Sequence, residues 1–345
     1  MSLKIEFLNA IDYPKVREFI NSEWSKGHIL AVSKELFDWQ YLNKNGSYNF
    51  VVLKKNNYIS GVLGFIPSRR YDESLMEDNI IWLALWKISE KIKLQGIGLK
   101  MISFLKKEID HTGIAVNGIN IKISSLYKSL GYTTSNLNHY YTTNINSDTK
   151  LISSPEDYQH PYVKSKGLDW KMLNENDLKK LQQNYRNKIR SNSAIKKSPH
   201  YFLNRYLKHP FYKYQVYLIL SNEIDEEALI SIRIDRKNNS NVLRIVDYYG
   251  NNKILNDAGK GLQKIMNQNK IEYADFFSFG IPSNIMDNLG FKIVDKEKHV
   301  VVPNYFEPFV NKNTEILFAY KNLKISNEDY IICKGDGDQD RPNKF

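Results

Sequence analysis

Ile88-Ser-Glu-Lys-Ile-Lys-Leu-Gln-Gly-Ile-Gly-Leu99 joins the apolar run Ile80-Ile-Trp-Leu-Ala-Leu-Trp86 to an amphipathic stretch from Leu99 to Ile109. The run before it has the length and composition of a buried strand, and the apolar residues after it recur at helical spacing. A strand, a glycine-bearing loop and a helix in that order form an anion cradle. Glycine lets the backbone approach a phosphate, and the free N–H groups of the first helical turn face it at the positive end of the helix dipole. The spacing is neither the dinucleotide fingerprint nor the Walker A loop, because no Gly-Lys-Ser/Thr follows and the preceding strands read as antiparallel.

Outward from this segment the chain repeats itself. The helical stretch Phe37 to Leu42 precedes strand Tyr48 to Leu53, and Phe202 to Leu207 precedes Tyr214 to Ile219. A second strand follows in each half (Ile59 to Phe65, Ala228 to Ile234), then a third (Ile80 to Trp86, Val242 to Tyr248). A helix comes next, Leu99 to Ile109 or Asp257 to Asn267, then a short strand and a last helix that stops at Gly131 or Gly290. Each half is thus expected to hold antiparallel strands, a helix, a parallel strand, a helix and a returning strand. The boundaries are 1–145 for the first unit, 146–166 for a polar linker with Pro155 and Pro161, 167–325 for the second, and 326–345 for a disordered tail.

Among 345 residues, 42% are hydrophobic, enough for two ordinary cores. No stretch reaches the roughly 20 apolar residues of a membrane span, and the start has no signal-peptide pattern, so a cytoplasmic protein is expected. The single cysteine, Cys333, excludes an internal disulfide, and no metal is expected. The formal charge of +11 fits nucleic acid, an anionic membrane surface or a polyanionic small molecule and does not by itself choose among them; its even scatter and the lack of an arginine-rich segment argue against nucleic acid.

The loop resembles motif A of the GNAT (GCN5-related N-acetyltransferase) superfamily, Arg/Gln-x-x-Gly-x-Gly/Ala, with Lys93, Gly96 and Gly98 in its positions. Lys93 departs from the usual residue, at a position that acts through its main-chain amide. Asn120-Ile-Lys-Ile-Ser-Ser-Leu-Tyr127-Lys-Ser-Leu-Gly131-Tyr132 is similar to motif B, with Ile123 where a small residue is usual. The second half keeps Leu289-Gly290-Phe291 but has Met286 where Tyr127 aligns, and no phosphate loop. The fold class implied is α/β (α+β): two tandem GNAT-like lobes, each a mixed, mostly antiparallel sheet flanked by helices, the second lobe degenerate.

The resemblance implies an acyl-CoA-dependent N-acyltransferase with CoA as donor. The thioester carbonyl would meet the amides of Trp86, Lys87 and Ile88, and the pyrophosphate those of Lys93, Gln95, Gly96, Ile97, Gly98 and Leu99. Tyr127 is the candidate acid for the departing thiolate, since a phenol reaching the sulfur suits that role. Asn120 either bonds the pantetheine arm or caps the last helix. For a base the candidates are His28, Glu23, His209 and Asp247. Two further segments resemble tandem-GNAT proteins of bacterial surface-polysaccharide (O-antigen, lipopolysaccharide) synthesis and imply a nucleotide-linked amino sugar as acceptor. Trp39, Gln40 and Tyr212 would meet its base or sugar, Arg205 its pyrophosphate, with His209 nearby. A FemX-like aminoacyl transferase, a protein or polyamine acetyltransferase and a noncatalytic binding module remain as alternatives; a homodimer is expected as an option.

Overall fold

The structure is a computed structural model that describes residues 3–153, 163, 167–221, 225–295, 300–304, 310–324 and 329–342. The first half contributes β1 (Leu3–Phe7), α1 (Tyr13–Phe19), α2 (Ile29–Val32), α3 (Lys34–Tyr41), β2 (Phe50–Lys55), β3 (Tyr58–Pro67), β4 (Ile80–Ile88), α4 (Ile97–Glu108), β5 (Gly113–Asn117), α5 (Ile121–Ser129), β6 (Thr133–Asn136) and β7 (Asn138–Thr143). The second half contributes β8 (Trp170–Leu173), α6 (Glu175–Leu181), α7 (Tyr185–Lys188), α8 (Pro199–Phe202), β9 (Tyr214–Ser221), β10 (Glu226–Lys237), β11 (Ser240–Tyr249), α9 (Asn252–Asn256), α10 (Gly259–Gln268), β12 (Ile271–Phe279), α11 (Ser283–Leu289), β13 (Lys292–Ile293), β14 (Leu317–Asn322) and β15 (Ile332–Cys333). Among the described residues, no helix is long and apolar enough to cross a membrane.

The strands form two mixed sheets, ordered β1-β2-β3-β4-β5-β14-β6 and β13-β7-β12-β11-β10-β9-β8, with β15 added to β12. Read by position the two sheets are copies: β4 and β5 are parallel in one, β11 and β12 in the other. The tight hairpins β2–β3 and β10–β11 turn on Asn56-Asn57 and Asn238-Asn239, all at positive φ, as a two-residue turn matching strand twist requires. Alternation and apolar runs in these strands bury Val51, Leu53, Leu63, Phe65, Ile81 and Leu83 against α4 and α5 in the first sheet. Ile230, Ile232, Leu243 and Ile245 face α10 and α11 in the second.

The halves are not separate bodies. β7 from the first half lies in the second sheet, pairing with β12 from Tyr273↔Thr143 to Ser278↔Asn138. β14 from the second half lies in the first, pairing with β5 and β6. Each half thus gives its last long strand to the other, so a boundary at 145 falls just past an exchanged strand. An extended core runs between the sheets from Tyr41 and Trp82 through Tyr206 and Val246 to Phe318.

Two expectations change. The stretch 146–166 lies largely outside the described residues; its start is tied down where Glu272 Oε1 accepts the amides of Lys150, Leu151 and Ile152. The tail is not disordered: residues 331–338 and 340–342 are all buried. Its polar composition misled, because those charges are paired inside the protein rather than solvated.

Candidate functional site

The first sheet opens where the loop begins. Parallel pairing of β4 with β5 runs from Ile80↔Gly113 to Leu83↔Val116 and then stops, although β4 continues to Ile88. Just there β4 carries one extra residue against β3, because Leu63 faces Trp86 while Phe65 faces Leu83. Such a bulge turns the strand and frees its backbone groups from the ladder. The segment from Ala84 to Ile88, still paired with β3 at Trp86, Lys87 and Ile88 but past the end of its pairing with β5, contains the three residues expected at the thioester.

α4 starts beside that segment. Gly96 caps it with φ +73, a conformation L side chains rarely adopt, and a Cβ there would meet open space. A Cβ on Gly98 would come within 2.7 Å of Trp86 Cζ2 and 3.0 Å of Ile88 Cδ1. Gly98 therefore serves the close approach of α4 to β4. The first-turn amides of Ile97, Gly98 and Leu99 have no acceptor within the helix, and the first turn carries no acidic residue. Lys93, Gln95 and Gly96 are exposed.

The opening leads into a cavity of about 490 Å³. Leu85, Trp86, Asn117, Asn120 and Tyr127 are among its lining residues. Tyr127 sits on the inner face of α5, buried, with the Tyr132 ring 5.2 Å away. Burial pushes its phenol well above the usual range, so it stays protonated and able to donate. Asn120 resolves in favour of capping: its side chain accepts Lys122 N–H at 2.9 Å. Trp86 Nε1 and Asn117 Oδ1 are buried without a hydrogen-bond partner.

His28 also lines the cavity, and its Nδ1 accepts Leu30 N–H at 3.2 Å and so caps α2. Its Nε2 is 3.4 Å from Arg341 Nη2. Burial first, then the Arg341 charge, lower its pKa to about 3, which leaves it neutral and too weak a base to hold an ammonium proton. In the unfolded chain it protonates near pH 6.5, so the unfolded state binds more protons between these values. Its effect on stability is nil above pH 6.5 and grows unfavourable as pH falls. Between pH 7.5 and 5 we expect the wild type to lose about 2 kcal/mol relative to His28→Asn, which keeps a capping side chain. Urea denaturation of both proteins across that range measures it, and parallel pH curves would refute it.

The remaining wall was not foreseen in the sequence. Lys334, Asp338, Gln339 and Arg341, from the supposed tail, line the cavity together with Asn304 and Glu315. This strap reaches the cavity through the second lobe. β11–β12 pairing ends at Ile245↔Phe276, and β15 then pairs with β12 at Phe279↔Ile332 and Ser278↔Cys333. Lys334 N–H donates to Phe277 O at 3.1 Å and Gly335 N–H to Val246 O at 2.7 Å. Val246 is itself the extra residue of β11, since Ser231 faces Asp247 and Ile232 faces Ile245. The strap therefore fills, in the second lobe, the slot that stands open in the first.

That arrangement relocates several expected site residues. Asp247, at the bulge of β11, is fully buried, pairs with Lys197 and accepts the Tyr206 hydroxyl at 2.7 Å. Lys197 also reaches Asp336 Oδ1 at 2.9 Å, so its ammonium occupies the one acidic cluster with Cys333 that approaches metal-site geometry among the described residues. Asp247 is thus a structural ion pair, not a base. Arg205 is buried and donates to the carbonyls of Gly335 at 3.2 Å and Gly337 at 3.0 Å; it holds the strap rather than a pyrophosphate. Trp39 packs edge-on to His209 at 4.4 Å, and Arg205 lies 5.2 Å over its ring. Tyr212 lies beneath Arg233 at 4.0 Å. His209 Nδ1 accepts the amides of Phe211 and Tyr212, and Gln40 bonds the Tyr41 hydroxyl at 2.7 Å. None of Trp39, Gln40, Arg205, His209 and Tyr212 lines the cavity, nor does Glu23, which sits in the π-helix Ile20–Trp24. Aromatic and basic side chains look alike in sequence whether they bind a ligand or another part of the chain.

Neither family models nor curated proteins match this sequence. Solved structures do match. A GCN5-related N-acetyltransferase from Anabaena variabilis superposes with a TM-score of 0.56 at 13% identity, over 94% of this chain and 74% of that one. A GCN5-related N-acetyltransferase from Kribbella flavida gives 0.50 at 10% identity, over 92% of this chain and 70% of the other. At these identities the likeness is one of fold: two mixed sheets flanked by helices, the GNAT architecture in both lobes.

Proposed function

We propose that this chain is an acyl-CoA-dependent N-acyltransferase whose first lobe holds the thioester and whose strap walls the acceptor. One observation carries the reading: the end of β4 parts from β5 beside the free N-terminus of α4, in a lobe with the GNAT fold. An extended pantetheine arm can pair with the edge of Ala84 to Ile88 that β5 leaves open, and the first-turn amides of α4 suit a pyrophosphate. The second lobe supports this by contrast, since a peptide strand already occupies its equivalent opening.

In this reading an uncharged amine attacks the thioester carbonyl within the cavity, the C–S bond breaks as Tyr127 donates its proton to the leaving sulfur, the nitrogen gives up its proton to water, and the tyrosinate is reprotonated from solvent. Asp338 and Glu315 are the carboxylates placed to hold the incoming ammonium, in place of His28 and Asp247. A nucleotide-linked amino sugar would have to be recognised by cavity residues, because Trp39, Arg205, His209 and Tyr212 are committed elsewhere. The acceptor class we infer is therefore a small primary amine.

Tyr127→Phe removes only the hydroxyl. Loss of general-acid assistance is expected to lower kcat by about 100-fold or more, with the calorimetric affinity for CoA unchanged. Thiol release from acetyl-CoA in the presence of amines measures it. An unaltered kcat in the variant would leave Tyr127 as packing alone, and absence of CoA binding by the wild type would overturn the function.

A further inference from the structure

The cations that border the cavity are matched within the protein. Lys334 has Asp340 at 3.6 Å and Arg341 has Asp338 at 3.4 Å, while burial keeps His28 neutral. What the lining leaves bare is apolar. Trp24 lines the cavity and is 46% exposed; Ile123, on α5, lines it and is 38% exposed. Neither packs against any apolar cluster of the described residues. Among those residues, the Trp24 ring stacks on no other aromatic ring and carries no cation.

The ring is nonetheless held in place by its backbone. Trp24 closes the π-helix Ile20–Trp24, a rare widened turn that occurs frequently at functional sites. Ser25 N–H donates to the Ile20 carbonyl at 3.0 Å, and His28 N–H to the Ser25 carbonyl at 3.1 Å. Ile20 and His28 are both buried, so the chain is fixed on either side of the exposed ring. An indole fixed in this way offers a large contact area at little cost in side-chain entropy. Leu85, Val116 and Ile316 add buried apolar surface to the same lining. A single apolar side chain on a protein surface needs no explanation. Two from separate elements, bordering the cavity that reaches the expected thioester, set apolar area against whatever occupies it.

We propose that the acceptor carries its amine on an uncharged, apolar body, and that Trp24, with Ile123, binds that body. This rests on the acyltransferase reading and narrows its substrate class. The amine meets Asp338 and Glu315 while the body covers the Trp24 ring, so charge holds one end of the acceptor and burial the other.

Two matched pairs of amines test it. In the first, 2-phenylethylamine adds a flat apolar ring to ethylamine; in the second, hexylamine sets a methyl group where 1,5-diaminopentane has a second charge. Thiol release from acetyl-CoA is read for wild type, Trp24→Ala and Trp24→Phe. The expected result is a kcat/KM higher by about ten-fold or more for the apolar member of each pair. Trp24→Ala should remove most of that difference, through KM rather than kcat, and Trp24→Phe should keep most of it. Trp24 stands outside the core, so both variants are expected to bind CoA with wild-type affinity by calorimetry. A CoA affinity that falls together with the preference would make Trp24 structural and overturn the assignment. Equal reaction within either pair in wild type overturns the proposal, as does a preference that survives Trp24→Ala. A wild type that binds CoA and acetylates none of the four amines overturns it too. Absence of CoA binding is a separate result that overturns the transfer reading and this inference with it.

Discussion

A chain ending at Tyr330 is expected not to fold cooperatively. The strap that would be lost donates or accepts in every layer it crosses. Arg205 is 1% exposed, and the strap carbonyls of Gly335 and Gly337 are the partners its guanidinium bonds. Arg233 would lose Asp340 and keep Asp235 alone. Lys197 would lose Asp336, whose charge, with that of Asp247, holds its ammonium protonated against the effect of burial. Removing one partner of a buried ion pair costs about 3–5 kcal/mol. Two such losses reach the whole stability of an ordinary domain, about 5–15 kcal/mol, before the apolar burial of Ile331, Ile332 and Cys333 is counted. Asp340→Ala samples one of them and is expected to cost about 3–5 kcal/mol. Circular dichroism with urea titration measures both. A truncated chain with the wild-type midpoint would return the segment to the status of a loose tail.

The sequence made the architecture legible because the information was local and repeated. Gly131 and Gly290 both take positive φ where the helices before them end, and two copies of strand, helix, strand, helix reinforce each other. Motif spacing singled out Trp86 and Tyr127, which line one cavity, and Gly96, which caps the helix beside it, because each is fixed by its own element: a bulged strand end, a helix face, a helix start. What could not be read was pairing at long range. β7 and β14 have the patterns of ordinary strands, and nothing in a strand says which sheet it joins. The strap is the extreme case. Lys334-Gly-Asp-Gly-Asp-Gln-Asp-Arg341 has the composition of a solvated segment, and only the buried Lys197, Arg205 and Arg233 elsewhere in the chain explain its order. A signal was present, since three basic residues placed in or near apolar strand and helix patterns demand partners, but sequence alone does not say that they find them in one another's neighbourhood.

The cofactor reading makes its sharpest demand at Gly96. Gly98 is the obvious position to block, yet its Cβ would strike the Trp86 ring at 2.7 Å, so a bulky residue there tests packing and binding together. Gly96 is exposed, has φ +73 and leaves open space for a side chain. Asn and Asp tolerate this left-handed conformation better than other L residues, and they differ from each other chiefly in charge. Gly96→Asp sets a carboxylate at the start of α4, among the amides that the pyrophosphate would use. A like charge near 5 Å, at an effective dielectric near 20, costs about 3 kcal/mol. CoA affinity is therefore expected to fall by about 100-fold or more in Gly96→Asp, while Gly96→Asn stays within a few-fold of wild type. The helix itself is not endangered, because a negative residue in the first turn is favourable to its dipole. Calorimetric titration with CoA, in low and high salt, separates the alternatives. A deficit confined to Asp and softened by salt fits a phosphate at the α4 N-terminus. Equal affinities for Asp and Asn would mean that the pyrophosphate lies elsewhere, and the opening of β4 would then have to be explained without the helix beside it.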